Sequence, residues 1–207
     1  MGYTVLSTKE EVPTMPIRPQ TQRSRPPLRT RDLTYIALMA VLITVCSWIA
    51  IPGPVPFTLQ TFAVFFALLT LGGRRGLFAI CVYLLMGAVG LPVFTGGQGG
   101  MGVLMGATGG YIMGFMLMGI VYRGMENEES EIRSIAALIT GLIVCYAFGT
   151  YWYVEVYAQS SSAVGTGTAL MTCVVPFLLP DAVKLWLAVM LSRRMKKHLI
   201  LFFDKTI

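Results

Sequence analysis

The sequence predicts an all-α integral membrane protein with six transmembrane helices and both termini in the cytoplasm. Three observations predict it. Of the 207 residues, 55% are apolar and only 13% charged, against about 25% charged in an average soluble domain. Mean hydropathy is +0.69. The apolar residues gather into six runs of membrane-spanning character, and the charges gather in alternate connections between them. Disordered and disulfide-stapled secreted chains have neither feature.

Crossing about 30 Å of hydrocarbon takes roughly 20 apolar residues at a rise of about 1.5 Å each. The first run, 33–51, stops at Pro52-Gly53-Pro54, and the second, 57–71, stops at Gly72-Gly73. The third covers 76–91, the fourth 108–122, the fifth 135–158 and the sixth 176–191, running on toward Lys197. Several are short, which tilt or local thinning of the bilayer accommodates.

The net charge of +6 comes from 16 Lys and Arg against 10 Asp and Glu. In a nucleic-acid binder these cations would decorate one solvated face; here they mark one side of a bilayer. Residues 1–32 carry Lys9, Arg18, Arg23, Arg25, Arg29 and Arg31. Arg74 and Arg75 separate runs two and three, the segment 123–133 separates runs four and five, and Arg193, Arg194, Lys196, Lys197 and Lys205 follow run six. The opposite loops, 52–56, 92–107 and 159–166, hold no charge. Basic segments stay inside, so this alternation puts both ends in the cytoplasm. The only charges it does not place there are Glu155, Asp181 and Lys184. Three regions follow: a basic cytoplasmic tail over 1–32, a membrane domain over 33–198 and a short cytoplasmic tail over 199–207. The first tail has five Pro and no signal-peptide core. Its composition fits disorder, or an arm that touches anionic lipid or a cytoplasmic partner.

Much chemistry is absent. There is no GxxxxGKS/T phosphate loop, no GxSxG or HExxH, and no cluster of metal ligands. The chain reads as no enzyme, needing neither metal nor nucleotide of its own. Cys46, Cys81, Cys145 and Cys173 lie far apart in apolar runs, the pattern of small buried thiols. His198 sits in a basic run and reads as solvated.

Asp181 and Lys184 are three residues apart and share a helix face. Counted from Arg193, they lie roughly 18 and 13 Å deep at about 1.5 Å per residue. Ionisable groups at that depth mark a ligand site or pathway, or pair to lock helices. Pro180 suits a first helical turn, which would put Asp181 at the positive end of a helix dipole. Glu155 falls in an aromatic stretch beginning Tyr151-Trp152-Tyr153 and reads as the water side of an interfacial belt. The segment 92–102 is neutral and glycine-rich, either a connector or a close backbone approach to a ligand. Gly106, Gly110 and Gly114 recur every four residues, the spacing that lets membrane helices touch closely.

Three segments resemble the BioY-type biotin-binding S components of energy-coupling-factor vitamin transporters. Residues 54–61 (Pro-Val-Pro-Phe-Thr-Leu-Gln-Thr) resemble the entry to that family's second span. Gly90-Leu91-Pro92-Val93-Phe94, Gly96-Gly97-Gln98-Gly99-Gly100 and 106–111 resemble its glycine-rich loop and fourth span. Pro176-Phe177 with Pro180-Asp181-Ala182-Val183-Lys184 resembles its ligand motif in span six. The likeness runs from about 33 to 194. It departs at Ala107, where the family often has Pro, and in span one, where Ala37 is followed by Val41 rather than a small residue; Ala40 with Thr44 is the substitute. The resemblance implies biotin capture from outside, a prokaryotic multi-pass cell-membrane protein, and an energising module of one transmembrane coupling subunit and two cytoplasmic ATPases. Biotin also suits the residues: Lys184 for its carboxylate, Asp181 for its ureido N–H groups, Tyr111, Phe57 and Phe94 for walls, and Gln98, Gln60 and Thr61 for hydrogen bonds. The alternatives are an S component for another small vitamin and a membrane structural or assembly protein.

Overall fold

The computed structural model describes residues 29–53, 55–127, 130–158 and 165–204, with backbone alone at 157–158 and 196–204. The described residues are mostly helical. Helix α1 (Thr30–Trp48) leads through a two-residue antiparallel hairpin, β1 (Ala50–Ile51) and β2 (Phe57–Thr58), into α2 (Gln60–Ala88). A single 3₁₀ turn (Thr95–Gly97) and a five-residue helix α3 (Met101–Met105) precede α4 (Gly109–Met125). Then come α5 (Glu131–Ala158), α6 (Thr166–Cys173) and α7 (Val175–Asp204). By length and composition four segments are apolar enough to cross a membrane: α1, α2, α5 within 131–156, and α6 with α7 over 166–195.

The α2 segment is two helices folded back on each other. Gly72 breaks the helix with φ 77° and ψ 166°, a conformation open only to glycine. Across that break Gln60 Nε2 lies 2.8 Å from Tyr83 Oη. A straight helix would separate residues 23 positions apart by about 35 Å, so the chain reverses. The arms 60–71 and 73–88 therefore correspond to the second and third expected spans. They touch so closely that a Cβ on Gly76 would sit 2.9 Å from Leu68 Cα.

Charges gather at one end of the bundle. Arg75 Nη2 pairs with Asp32 Oδ1 at 3.1 Å. The Gly73 N–H donates to Glu126, and Arg193 Nε donates to Glu131 Oε1 at 2.6 Å. These contacts join the start of α1, the α2 reversal, the end of α4, the start of α5 and late α7. Every described partner here comes from a segment assigned to the cytoplasmic side.

The glycine stripe packs α4 on α5. A Cβ on Gly114 would meet Cys145 Sγ at 2.7 Å, and one on Gly110 would collide with the Trp152 side chain. Gly141 of α5 is as tight against Met118. Gly106 lies before α4 and accepts a hydrogen bond from Trp152 Nε1 at 3.0 Å.

Three expectations need correction. Pro180 is not in the first turn of its helix: α7 begins at Val175, and Pro176 takes the early position where a missing N–H costs nothing. Pro180 lies inside the helix, and Asp181 is not at the helix start. The segment expected as a carboxy-terminal tail, 199–207, continues the α7 backbone through Asp204, which leaves its expected side of the membrane untouched; 205–207 lie outside the described residues. Part of the loop expected at 159–166 belongs to α6; its residues 159–164 lie outside the described residues. Ala40 and Thr44 are not a surface for a partner, because they are buried, while Val41 beside them is 53% exposed. The expected amino-terminal tail lies outside the described residues up to 28, as do the side chains of Lys196, Lys197 and His198. Cys46, Cys145 and Cys173 are buried, Cys81 is half-buried, and all four are free thiols. Glu155 is exposed on α5.

Candidate substrate-binding site

One face of α7 decides the site. Asp181, Lys184, Ala188 and Ser192 are buried, whereas Leu179, Val183 and Trp186 are exposed. Spacings of three and four put the first set on one stripe, turned into the bundle. Asp181 and Lys184 are 2% and 3% exposed and line an open cavity within the bundle. Its lining reaches Val55 and Pro56 of the β-hairpin turn, Thr95 of the 3₁₀ turn and Thr108 before α4. This is the end of the bundle opposite the charged contacts, because α1 and α4 run between the two.

The charged pair is held on every side. Lys184 Nζ donates to Asp181 Oδ1 at 2.7 Å, and the Tyr146 hydroxyl donates to Asp181 Oδ2. Lys184 Nζ also sits 4.0 Å from the Phe57 ring centroid, a cation–π contact. Phe57 in turn lies 6.1 Å from Phe177 of α7. An ammonium has three N–H donors, so Lys184 keeps donating capacity beyond Asp181. Burying either charge alone would cost several kcal/mol. The pair costs less, and it presents a cationic donor beside an anionic acceptor.

Of the residues singled out from sequence, Asp181, Lys184, Tyr111, Gln60 and Thr61 line the cavity. Phe57 joins them through Lys184. Tyr111 hydroxyl and Thr150 Oγ1 are 3.0 Å apart, which fixes that ring at the wall. Phe94 and Gln98 lie elsewhere. Phe94 is fully buried, edge-on to Tyr83 at 5.5 Å, in a space that a side chain at Gly87 would fill. Gln98 is exposed and pairs with Phe94 through backbone, its carbonyl accepting from Phe94 N–H at 2.9 Å. Sequence reasoning missed Tyr146, Cys145, Phe177 and Thr108 as lining residues. Tyr146 had a usable signal: a phenol in mid-span needs a buried partner for its hydroxyl.

A helical membrane bundle that opens a polar, ion-paired cavity at its uncharged end is a small-molecule-binding membrane protein. The profile of the BioY family matches residues 19–200, and the chain belongs to that family. It is 40% identical over 169 residues to the biotin transporter BioY of Thermotoga maritima, covering 81% of this chain and 96% of that one. It is 35% identical over 170 residues to the probable biotin transporter BioY of Pyrococcus horikoshii, covering 82% and 98%. Among solved structures, it superposes on the S-component for biotin from an ECF-type ABC transporter with a TM-score of 0.70 and 28% identity, covering 81% of this chain and 91% of that one.

Proposed function

We propose that this chain binds biotin in the cavity around Asp181 and Lys184 and serves as the substrate-binding S component of biotin uptake. The observation that carries the reading is the buried Asp181–Lys184 pair on the cavity wall, in a chain whose relatives are named as biotin transporters. Biotin offers an apolar fused ring, a ureido group with two N–H donors and one acceptor, and a carboxylate. Lys184 meets the carboxylate and Asp181 accepts from ureido N–H. Gln60 and Thr61 supply further polar contacts, and Phe57 and Tyr111 supply walls. Phe94 supports the loop from behind, and Gln98 acts at its outer surface.

Six spans and both ends in the cytoplasm rest on the sided charges, and a plasma-membrane location rests on the likeness to biotin transporters. The cavity then opens outward, as capture from outside requires. The chain carries no phosphate loop, so ATP hydrolysis falls to partners: a transmembrane coupling subunit and two cytoplasmic ATPases. On this reading biotin binding requires neither metal nor nucleotide of this chain, and affinity should be retained after chelation and nucleotide removal; a clear loss would refute it.

The reading of the charged pair as only a helix lock has one contact in its favour, Tyr146 to Asp181, which does join α5 to α7. Asp181 and Lys184 themselves sit three apart on one helix, so their mutual ion pair joins no two helices, although Lys184 also touches Phe57 of β2. Mass spectrometry of the small molecule released on denaturing the purified protein tests the proposal. Biotin is the expected species; riboflavin or another vitamin in its place would transfer the reading to a different S component.

A further inference from the structure

Lys184 is held from two sides, and only one of them is its own helix. Asp181 Oδ1 takes one N–H at 2.7 Å. The other side comes from the β-hairpin. Val55, Pro56 and Thr58 line the cavity, whereas Phe57 between them is not part of its lining. Neighbouring strand residues point to opposite faces, so Phe57 turns away from Thr58. Its ring centroid lies 4.0 Å from Lys184 Nζ. Strand and ring are both fixed. Ile51 of β1 pairs with Phe57 in the strand register, and the Leu59 N–H donates to Ile49 O at 3.2 Å. Phe177 of α7 braces the ring at 6.1 Å, tilted by 30°.

A lysine ammonium is a compact charge on a flexible four-carbon stem, so one carboxylate partner does not by itself set where it points. A ring face attracts the cation through its quadrupole and brings no net negative charge. A second carboxylate in that place would repel an anionic ligand group. Lys184 is almost wholly buried, so little water weakens the attraction. We propose that Phe57 is a positioning residue for ligand binding: its π face, more than its bulk, holds the Lys184 ammonium with its spare N–H capacity turned to the cavity. Phe57 acts through Lys184. The hairpin, by this one ring, sets the polar centre on α7. An aliphatic side chain of similar size does not replace it. The inference deepens the biotin reading and rests on it only for the ligand's identity.

The test replaces Phe57 by mono-, di- and trifluorinated phenylalanine in the full chain, purified in detergent. Each fluorine withdraws electron density from the ring face and hardly changes its shape. A face made less negative stacks on Phe177 no less well, so the loss reads the ammonium. Biotin affinity should fall stepwise, reaching about tenfold at the trifluorinated ring, as for losing a desolvated cation–π contact. Equal affinity along the series in folded protein would overturn the proposal, because a ring acting by bulk alone gives that result. A second readout needs no ligand. The chain has five lysines, so the Lys184 ε-methylene is separable in ¹³C-lysine-labelled protein and is assigned by its loss in Lys184→Arg. The ring current should shift it upfield of the other lysines. The shift should vanish in Phe57→Leu and shrink stepwise along the fluorinated series. A Lys184 signal at the ordinary lysine position, or one unmoved by fluorination, refutes the proposal whatever the ligand is. Wild-type protein that binds no biotin while showing the graded shift counts against the proposed function alone.

Discussion

Asp181 is buried with each carboxylate oxygen occupied, Oδ1 by Lys184 and Oδ2 by Tyr146. Removing one member of such a set is worse than removing both charges. Lys184→Leu leaves an uncompensated anion and should cost roughly 3–5 kcal/mol of stability. Asp181→Leu together with Lys184→Leu should recover most of that, because an apolar replacement of a buried pair is often neutral. Unfolding midpoints in detergent check the order: the single variant below the double, with the double folded yet unable to bind biotin. Tyr146→Phe removes one hydrogen bond to a charged group, an effect of about 1.5–3 kcal/mol. It should lower biotin affinity about tenfold or more, read by calorimetric titration. At this scale the sequence was most informative about the charges. Two ionisable residues three apart in a 16-residue apolar stretch stand out by cost alone. Tyr146 did not stand out, because a tyrosine in an apolar run is common and only its partner makes it part of the site. Phe94 shows the reverse failure: its place in a glycine-rich motif suggested a ligand wall, yet the glycine at 87 opens a socket for it in the core.

Gly72 and the glycine stripe are where single residues shape whole helices. Gly72 holds φ 77° with ψ 166°, and any side chain there meets strain of about 1–3 kcal/mol. Gly72→Ala should therefore lower the unfolding temperature while the biotin affinity of the folded fraction stays unchanged, since the reversal lies at the end far from the cavity. Gly114→Leu forces a side chain against Cys145, where even a Cβ comes within 2.7 Å of sulfur. Overpacking of this kind costs about 1–3 kcal/mol or more. Because Cys145 lines the cavity, that variant should lose both stability and affinity, measured by thermal unfolding and titration on the same preparation. The hairpin and the stripe were both legible, since Gly-Gly between apolar runs and small residues every four positions each have one simple physical meaning. Helix α6 was not legible: it is eight residues long with three Thr and a Gly, and its short length carries no periodic signal. Run six was expected from 176, one residue from the start of α7; what was misplaced is the first-turn role of Pro180, because Pro176 and Pro180 both suit it and the chain takes the earlier one.

The whole molecule is polarised. The Arg75–Asp32 and Arg193–Glu131 pairs lie at one end, and the cavity lining reaches the other through Val55, Pro56, Thr95 and Thr108. The loops 52–56 and 92–107 hold no charge in the sequence, which is the basis for the expected sidedness. Reporter fusions at the carboxyl end should report a cytoplasmic location; an external signal would contradict the six-span arrangement. The central claim is that Lys184 and its partner Asp181 hold biotin inside this bundle, and one measurement tests it most directly. Biotin is titrated into monodisperse wild-type and Lys184→Ala protein in detergent. The account predicts tight binding to the wild type and a loss of about thirty- to several-thousand-fold in Lys184→Ala, the range for truncating one partner of a buried charged contact. Wild-type affinity in a folded Lys184→Ala protein would contradict it.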